Sequence, residues 1–332
     1  MKTTLAALLA VTLVGCASTA PTTQPKLSVL VDLDPASVER TVIVENITAD
    51  RDGVLYTGDR VSGNLLRIAP ANPKPVVVGR LDSRTVNGRA TPANPGGLAF
   101  TAESDLLVVA AGFGEVMRLR AADLNPASPG RAQTFATGLT GANGIALDAK
   151  GQVYVSGGAT GAVYRLSPDG TTFQTIAKIE PFSRTLANVT ATQTIVSNGL
   201  AFDAQGVLHV ADTARGAVWT VAIGADGQAA APQLLAQNPL LEGADGIAFD
   251  PQGTLWVSAN ELNALVTVTP NGQVATAARN GNAGPLEFPA SVVFVGQTAY
   301  VPNFDVPRRD NLDAGANTSR SGVGASIVRV QR

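Results

Sequence analysis

One short phrase returns six times along this chain, and its spacing constrains the fold more than any other feature. The clearest copies are Gly96-Gly-Leu-Ala-Phe100, Asn143-Gly-Ile-Ala-Leu-Asp148, Asn198-Gly-Leu-Ala-Phe-Asp203 and Asp245-Gly-Ile-Ala-Phe-Asp250. Glu45-Asn-Ile-Thr-Ala-Asp50 stands before them and Ala290-Ser-Val-Val-Phe294 after them. Successive starts lie 45 to 55 residues apart. Six supersecondary units at such a period, each too small to bury its own apolar face, imply a ring or array in which neighbours cover one another.

The units share an internal grammar of four short strands. A tight turn of the form Asp-x-x-Gly follows the first apolar run at Asp50–Gly53, Asp148–Gly151, Asp203–Gly206 and Asp250–Gly253. Its Asp is suited to accept local N–H groups and its Gly to take a positive φ. A second run then alternates apolar positions (Val153 and Val155, Leu208 and Val210, Leu255 and Val257), and a third opens on Gly161 or Gly216. The expected fold class is all-β, a six-bladed β-propeller of four-stranded antiparallel blades. The last unit ends at Ser326-Ile-Val-Arg-Val330 without a fourth strand, while Leu27 to Leu33 is an orphan β-run before the first unit. That run is expected to close the ring as the outer strand of blade 6.

Composition agrees: 34 Gly and 20 Pro, with 45% hydrophobic but only 15% charged residues, leave no room for long Leu/Glu/Lys helices. The formal charge of −2 argues against nucleic acid as a partner. At the start, Lys2 and an apolar run from Leu5 to Val14 read as a secretory signal too short to span a bilayer. Leu13-Val-Gly-Cys16 resembles a bacterial lipobox, which implies cleavage after residue 15 and lipidation of Cys16, the only cysteine. The expected order is a signal peptide over 1–15, a Pro/Thr-rich tether over 16–26, and the propeller over 27–332. The expected location is the cell envelope, at the outer membrane facing the periplasm, with the lipid as the sole membrane contact.

The first strand of a propeller blade flanks the central channel, so the residue that opens each unit should face the channel mouth. Those six positions are Glu45, Gly96, Asn143, Asn198, Asp245 and Ala290. Glu45, Asn143, Asn198 and Asp245 offer two carboxylates and two amide oxygens from four blades, without thiolate or imidazole. This set suits Ca²⁺, or Mg²⁺ or Mn²⁺, over Zn²⁺ or copper. Asn-Gly and Asp-Gly are also common turn pairs, so a purely folding role for Asn143 and Asn198 stands beside the metal-ligand reading.

With these residues the chain resembles the senescence-marker-protein/gluconolactonase/luciferin-regenerating-enzyme-like family, whose cousin is diisopropyl fluorophosphatase. The resemblance implies a calcium-dependent propeller that hydrolyses lactones, with Glu45, Asn143, Asn198 and Asp245 as metal ligands. It further implies that Asp245 positions or deprotonates the attacking water, while Glu45 compensates charge. Two departures stand out: Glu-Asn-Ile replaces the family's usual Glu-Gly-Pro, and blade 6 lacks the His of the fluorophosphatase. The second speaks against phosphotriesterase activity. A non-catalytic NHL-like propeller binding a protein or glycan, and a strictosidine-synthase-like propeller, are the alternatives.

Other candidates have simpler readings. His209 occupies a strand position filled by Tyr154 and Trp256 in other blades and reads as a packing residue. Ser197 and Ser291 lack a histidine to activate them, and Asp59 and Asp212 read as loop caps. Three connections are long, Arg80–Pro95, Ile176–Ser197 and Asn303–Ala325, and should open on the face of the channel mouth. Arg308 and Arg309 in the third could meet an anionic substrate or form a solvated charge pair.

Overall fold

The computed structural model describes residues 25–35, 40–185, 192–281, 284–306 and 323–332. The signal peptide, Cys16, most of the tether, Arg308 and Arg309 lie outside these residues.

Six antiparallel sheets form in chain order, each with the first strand of its repeat at the inner edge. The inner strands are Val44–Ala49, Pro95–Phe100, Ile145–Leu147, Leu200–Phe202, Ala244–Phe249 and Val293–Val295. Blades 3, 4 and 5 are simple four-stranded meanders, and blade 1 gains a short fifth strand, Gly130–Arg131, lying parallel to its outer strand Asn72–Arg80. In blade 6 the expected closure is present. Lys26–Asp32 pairs antiparallel with Ser326–Gln331, so the two ends of the described chain share one sheet.

The Asp-x-x-Gly turns form as their chemistry dictates. One carboxylate oxygen of Asp148 accepts the N–H groups of Lys150 and Gln152, both at 2.9 Å, and Gly151 adopts a φ of 77°. Asp50, Asp203 and Asp250 repeat this arrangement. In three blades the second carboxylate oxygen accepts from the polar tip of an aromatic residue on the next strand: Tyr56, Tyr154 or Trp256.

Those aromatic residues also join the blades. Tyr56 packs edge-to-face on Phe100, Tyr154 on Phe202 and Trp256 on Phe294, each time meeting the last residue of the apolar phrase in the next blade, at centroid distances of 4.9 to 5.5 Å. His209 fills the same place in blade 4, stacked edge-on against Phe249 at 5.0 Å. Its burial lowers the imidazole pKa. It is therefore an inter-blade packing residue, as its sequence position implies.

Nearer the axis the blades approach so closely that only glycine fits. A Cβ on Gly199 would lie 2.4 Å from the Asp245 carbonyl oxygen, and one on Gly144 would lie 2.5 Å from that of Asn198. A Cβ on Gly246 would lie 2.5 Å from Ser291 Cα. None of these three glycines has a positive φ. The Asn-Gly and Asp-Gly pairs thus serve close blade packing rather than a turn.

Candidate functional site

Each of the four candidate residues sits in a β-bulge at the channel end of its inner strand. The Asn198 N–H donates to the Ala211 carbonyl, and the Ala211 N–H donates to that of Gly199, both at 2.9 Å, so two residues face one. Asn143 and Gly144 face Ser156 in the same way. In blades 1 and 5 the register slips between Val44 and Ile47 and between Ala244 and Ile247, around Glu45 and Asp245. Glu45 and Asp245 therefore lie inside their strands, one residue in, rather than just ahead of them. A bulge turns a side chain out of the regular alternation and suits a binding mouth.

Backbone hydrogen bonds tie several of these bulges to the next blade. The Gly97 N–H donates to the Asn143 carbonyl at 2.8 Å, that of Gly199 to Asp245 at 3.2 Å, and that of Gly246 to Ala290 at 2.7 Å. Blade 2 is thus joined to blade 3, blade 4 to blade 5, and blade 5 to blade 6, at the height of the candidate side chains.

A second regularity concerns what holds those side chains. Asn198 Nδ2 donates to Thr213 Oγ1 at 2.9 Å, and the Thr213 hydroxyl donates to the Ala244 carbonyl at 2.6 Å. Asp245 Oδ2 accepts from Asn260 Nδ2 at 3.0 Å. Glu45 Oε2 is ion-paired with an Arg60 guanidinium nitrogen. In all three blades the partner stands fifteen residues further on, at the end of the second strand. The equivalent residue for Asn143 is Gly158, which offers no side chain, and Asn143 is only half-buried.

Asp245 ties the cluster together. It is buried, and burial pushes its pKa up to about 7. Hydrogen bonds from Asn260 and Asn198 and the charge of Arg60 oppose that rise, whereas the charge of Glu261 adds to it. Asp245 therefore links blades 1, 4 and 5 through hydrogen bonds and charge. Arg60 has its own pKa lowered by desolvation, with the Asp245 carboxylate working against that.

Among the described residues no group of three or more His, Cys, Asp or Glu could by itself hold a metal ion. The donors here are instead half amide. Two carboxylates with two asparagine oxygens fit a hard divalent cation. An independent observation agrees: Asn260 Oδ1 is buried without a hydrogen-bond partner, an acceptor left over beside the Asp245 carboxylate.

Two of the long connections carry a short hairpin among the described residues, and one of them touches the loop beside Asn260. The insertion after blade 3 forms a short hairpin, Arg184–Thr185 with Thr192–Gln193, and Gln193 Nε2 donates to Glu261 Oε1 at 2.9 Å. The insertion before blade 2 carries the hairpin Arg84–Val86 with Arg89–Thr91. Asp59 and Asp212 cap their loops: Asp59 accepts the N–H groups of Ile43 and Val61, and Asp212 accepts that of Arg215. Arg60, Thr213 and Asn260 escaped the sequence reading, although counting fifteen residues from each unit's opening residue would have found them.

Residues 178–301 match the family model described as SMP-30/Gluconolactonase/LRE-like region. The match includes Asn198 and Asp245 and stops short of Glu45 and Asn143. No curated relative matches the chain by sequence. Among solved structures, a luciferin-regenerating enzyme superposes with a TM-score of 0.68 at 16% identity, covering 93% of this chain and 95% of its own. A gluconolactonase from Xanthomonas campestris gives 0.64 at 18% identity over 92% and 89%. Regucalcin from Agrobacterium tumefaciens, a calcium-binding protein, gives 0.61 at 16% over 93% and 93%. At these identities the solved structures establish the architecture. The chain is a six-bladed β-propeller whose residues 178–301 match the SMP-30/gluconolactonase/LRE-like region.

Proposed function

We propose that this protein is a metal-dependent hydrolase of the cell envelope that opens lactones, of the sugar-lactone type, at the channel mouth. The observation that carries the proposal is the buried Asp245, held by Asn198 and Asn260 among bulges that also present Glu45. The match of residues 178–301 to a family that includes gluconolactonases supports the same reading.

Glu45, Asn143, Asn198 and Asp245 would hold the cation, with calcium the first choice and Mg²⁺ or Mn²⁺ the alternatives. When bound, such an ion supplies Lewis-acid polarisation of the ester carbonyl. The protein's own groups perform the proton chemistry. Asp245, placed beside the cation, would take a proton from water as the water oxygen attacks the carbonyl carbon. It then returns that proton to the ring oxygen as the acyl C–O bond breaks, giving the hydroxy acid. Asn260 fixes the carboxylate orientation through Oδ2, and Thr213 fixes the amide plane of Asn198. Glu45 balances charge.

The test combines stability with turnover. Calcium added to the chelated protein is expected to raise the melting temperature, because a ligand bound only to the native state stabilises it by mass action. Glu45→Gln should lose that response and lower the kcat for a lactone by about a hundredfold or more. If calcium leaves the melting temperature of the parent unchanged, the metal-dependent reading falls.

The export reading is proposed as well: cleavage before Cys16, a lipid on that residue and a flexible tether would hold the propeller at the envelope. Cys16→Ser should move the protein from the membrane fraction to the soluble one. Retention in the membrane fraction would overturn lipid anchoring.

A further inference from the structure

We propose that Arg60 is a built-in counter-cation of the channel mouth, which occupies Glu45 until a divalent cation displaces it. The proposal rests on the reading of Glu45 and Asp245 as cation ligands and adds a device that sets how tightly the ion is held.

Blade 1 departs from the other blades in the fifteen-residue relation. Thr213 and Asn260 are neutral partners, each fixing its bulge side chain by a single hydrogen bond. In blade 1 the equivalent position carries a full positive charge and forms an ion pair. A neutral donor would suffice if the only task were to orient Glu45. The arginine instead neutralises one of the two carboxylates of the proposed donor set.

Its surroundings make that charge effective. The side chains of Arg60 and Glu45 are 22% and 10% exposed, so water screens the pair weakly. The same guanidinium is felt by Asp245, the other carboxylate. With Arg60 in place, an incoming ion meets a Glu45/Asp245 pair whose net charge is reduced from two to one. A guanidinium left on Glu45 beside a bound divalent ion would repel it and compete for the same carboxylate. Binding therefore favours exchange. Arg60 has somewhere to go: its guanidinium carbon already lies 5.7 Å from the centroid of the Phe304 ring, a face that favours cations. Arg40 shares that ring at 5.4 Å and is anchored there by the Phe304 carbonyl.

The experiment measures calcium affinity by titration calorimetry on the full mature chain, comparing the parent with Arg60→Gln and Arg60→Lys. Arg60→Gln should bind calcium at least tenfold more tightly, while Arg60→Lys, which keeps the charge, should stay within about threefold of the parent. In chelator, Arg60→Gln should melt below the parent, since two enclosed carboxylates then lack their cation; calcium should restore it.

Unchanged or weaker binding by Arg60→Gln, with the parent still binding, overturns the counter-cation and leaves the metal site standing. Absence of binding in both proteins overturns both readings. Should Arg60→Gln need calcium to fold, its melting midpoint against free calcium gives the same comparison, rising from a lower concentration than in the parent. Failure to fold even in millimolar calcium also overturns the proposal, because the divalent ion would then not replace the charge Arg60 supplies.

Discussion

Asp245→Asn should make the chelated protein more stable than its parent at pH 8, by about 2–4 kcal/mol, while lowering lactone hydrolysis by about a thousandfold. Burial raises the Asp245 pKa to about 7, against roughly 4 in an unfolded chain. A carboxylate shifted upward stabilises the fold only while it is protonated. Its contribution is complete below about pH 4 and is lost as pH rises through 7. Three units correspond to about 4 kcal/mol; the lower bound allows for the weakened link between Asp245 and Arg60. The introduced amide carries no such penalty and keeps an oxygen to accept from Asn260. It cannot take a proton from water, so turnover falls while the fold gains.

Urea melts in chelator between pH 5 and pH 8 would measure this. The parent should lose stability across the interval and the variant should lose less. Glu287 supplies a second slope of the same sign. Burial lifts it to about 7, helped by the charges of Asp305 and Asp32, although the N–H groups of Val323 and Gly324 hold it down. Glu287→Gln should therefore flatten the remainder. A parent whose stability is flat across this range would show that Asp245 is ionised throughout and that its enclosure costs nothing.

The sequence disclosed the ring because each blade repeats turns whose residue types are dictated locally. An Asp that accepts two N–H groups and a Gly at positive φ leave the same signature wherever they occur. Closure by the N-terminal strand was legible for a related reason, since a sixth unit one strand short and an unclaimed β-run must satisfy one another. The opening residues of the inner strands were legible as a column, and Asp245 and Asn198 do meet there. The bulges were not, since a bulge adds one residue to a strand without changing the residue types in it. The glycine after Asn143, Asn198 and Asp245 looked like a turn residue because sequence cannot distinguish a positive φ from a backbone atom of the next blade 2.4 or 2.5 Å from where Cβ would be. Arg60, Thr213 and Asn260 share a position but no chemistry, so a search by residue type passes over them. The exposed insertion hairpin Arg84–Val86 with Arg89–Thr91 has too few residues for alternation to show.

Deleting residues 26–32, with the preceding segment joined directly to Leu33, should lower the melting temperature by about 10 °C or more and make the protein prone to self-association. The strand pairs with Ser326–Gln331 along six registered positions. Its apolar side chains lie against two clusters: Leu27 against the core between blades 5 and 6, Leu30 and Val31 against the core between blades 6 and 1. Uncovering these three half-buried side chains, together with the fully buried Ile327, Val328 and Val330 beneath them, costs about 5 kcal/mol, since full burial of one such group contributes roughly 1.5–3 kcal/mol. In a chain of this size 1 kcal/mol moves the midpoint by about 2–4 °C. Ile327, Val328 and Val330, now fully buried, would then stand on an open edge strand, the usual template for intermolecular pairing. The comparison that isolates ring closure from mere loss of chain is removal of the exposed hairpin tip 85–90, which should move the midpoint by no more than about 2 °C. Equal effects from the two deletions would mean that blade 6 is held by its three C-terminal strands alone, and that the shared sheet contributes nothing to keeping the first and last blades together.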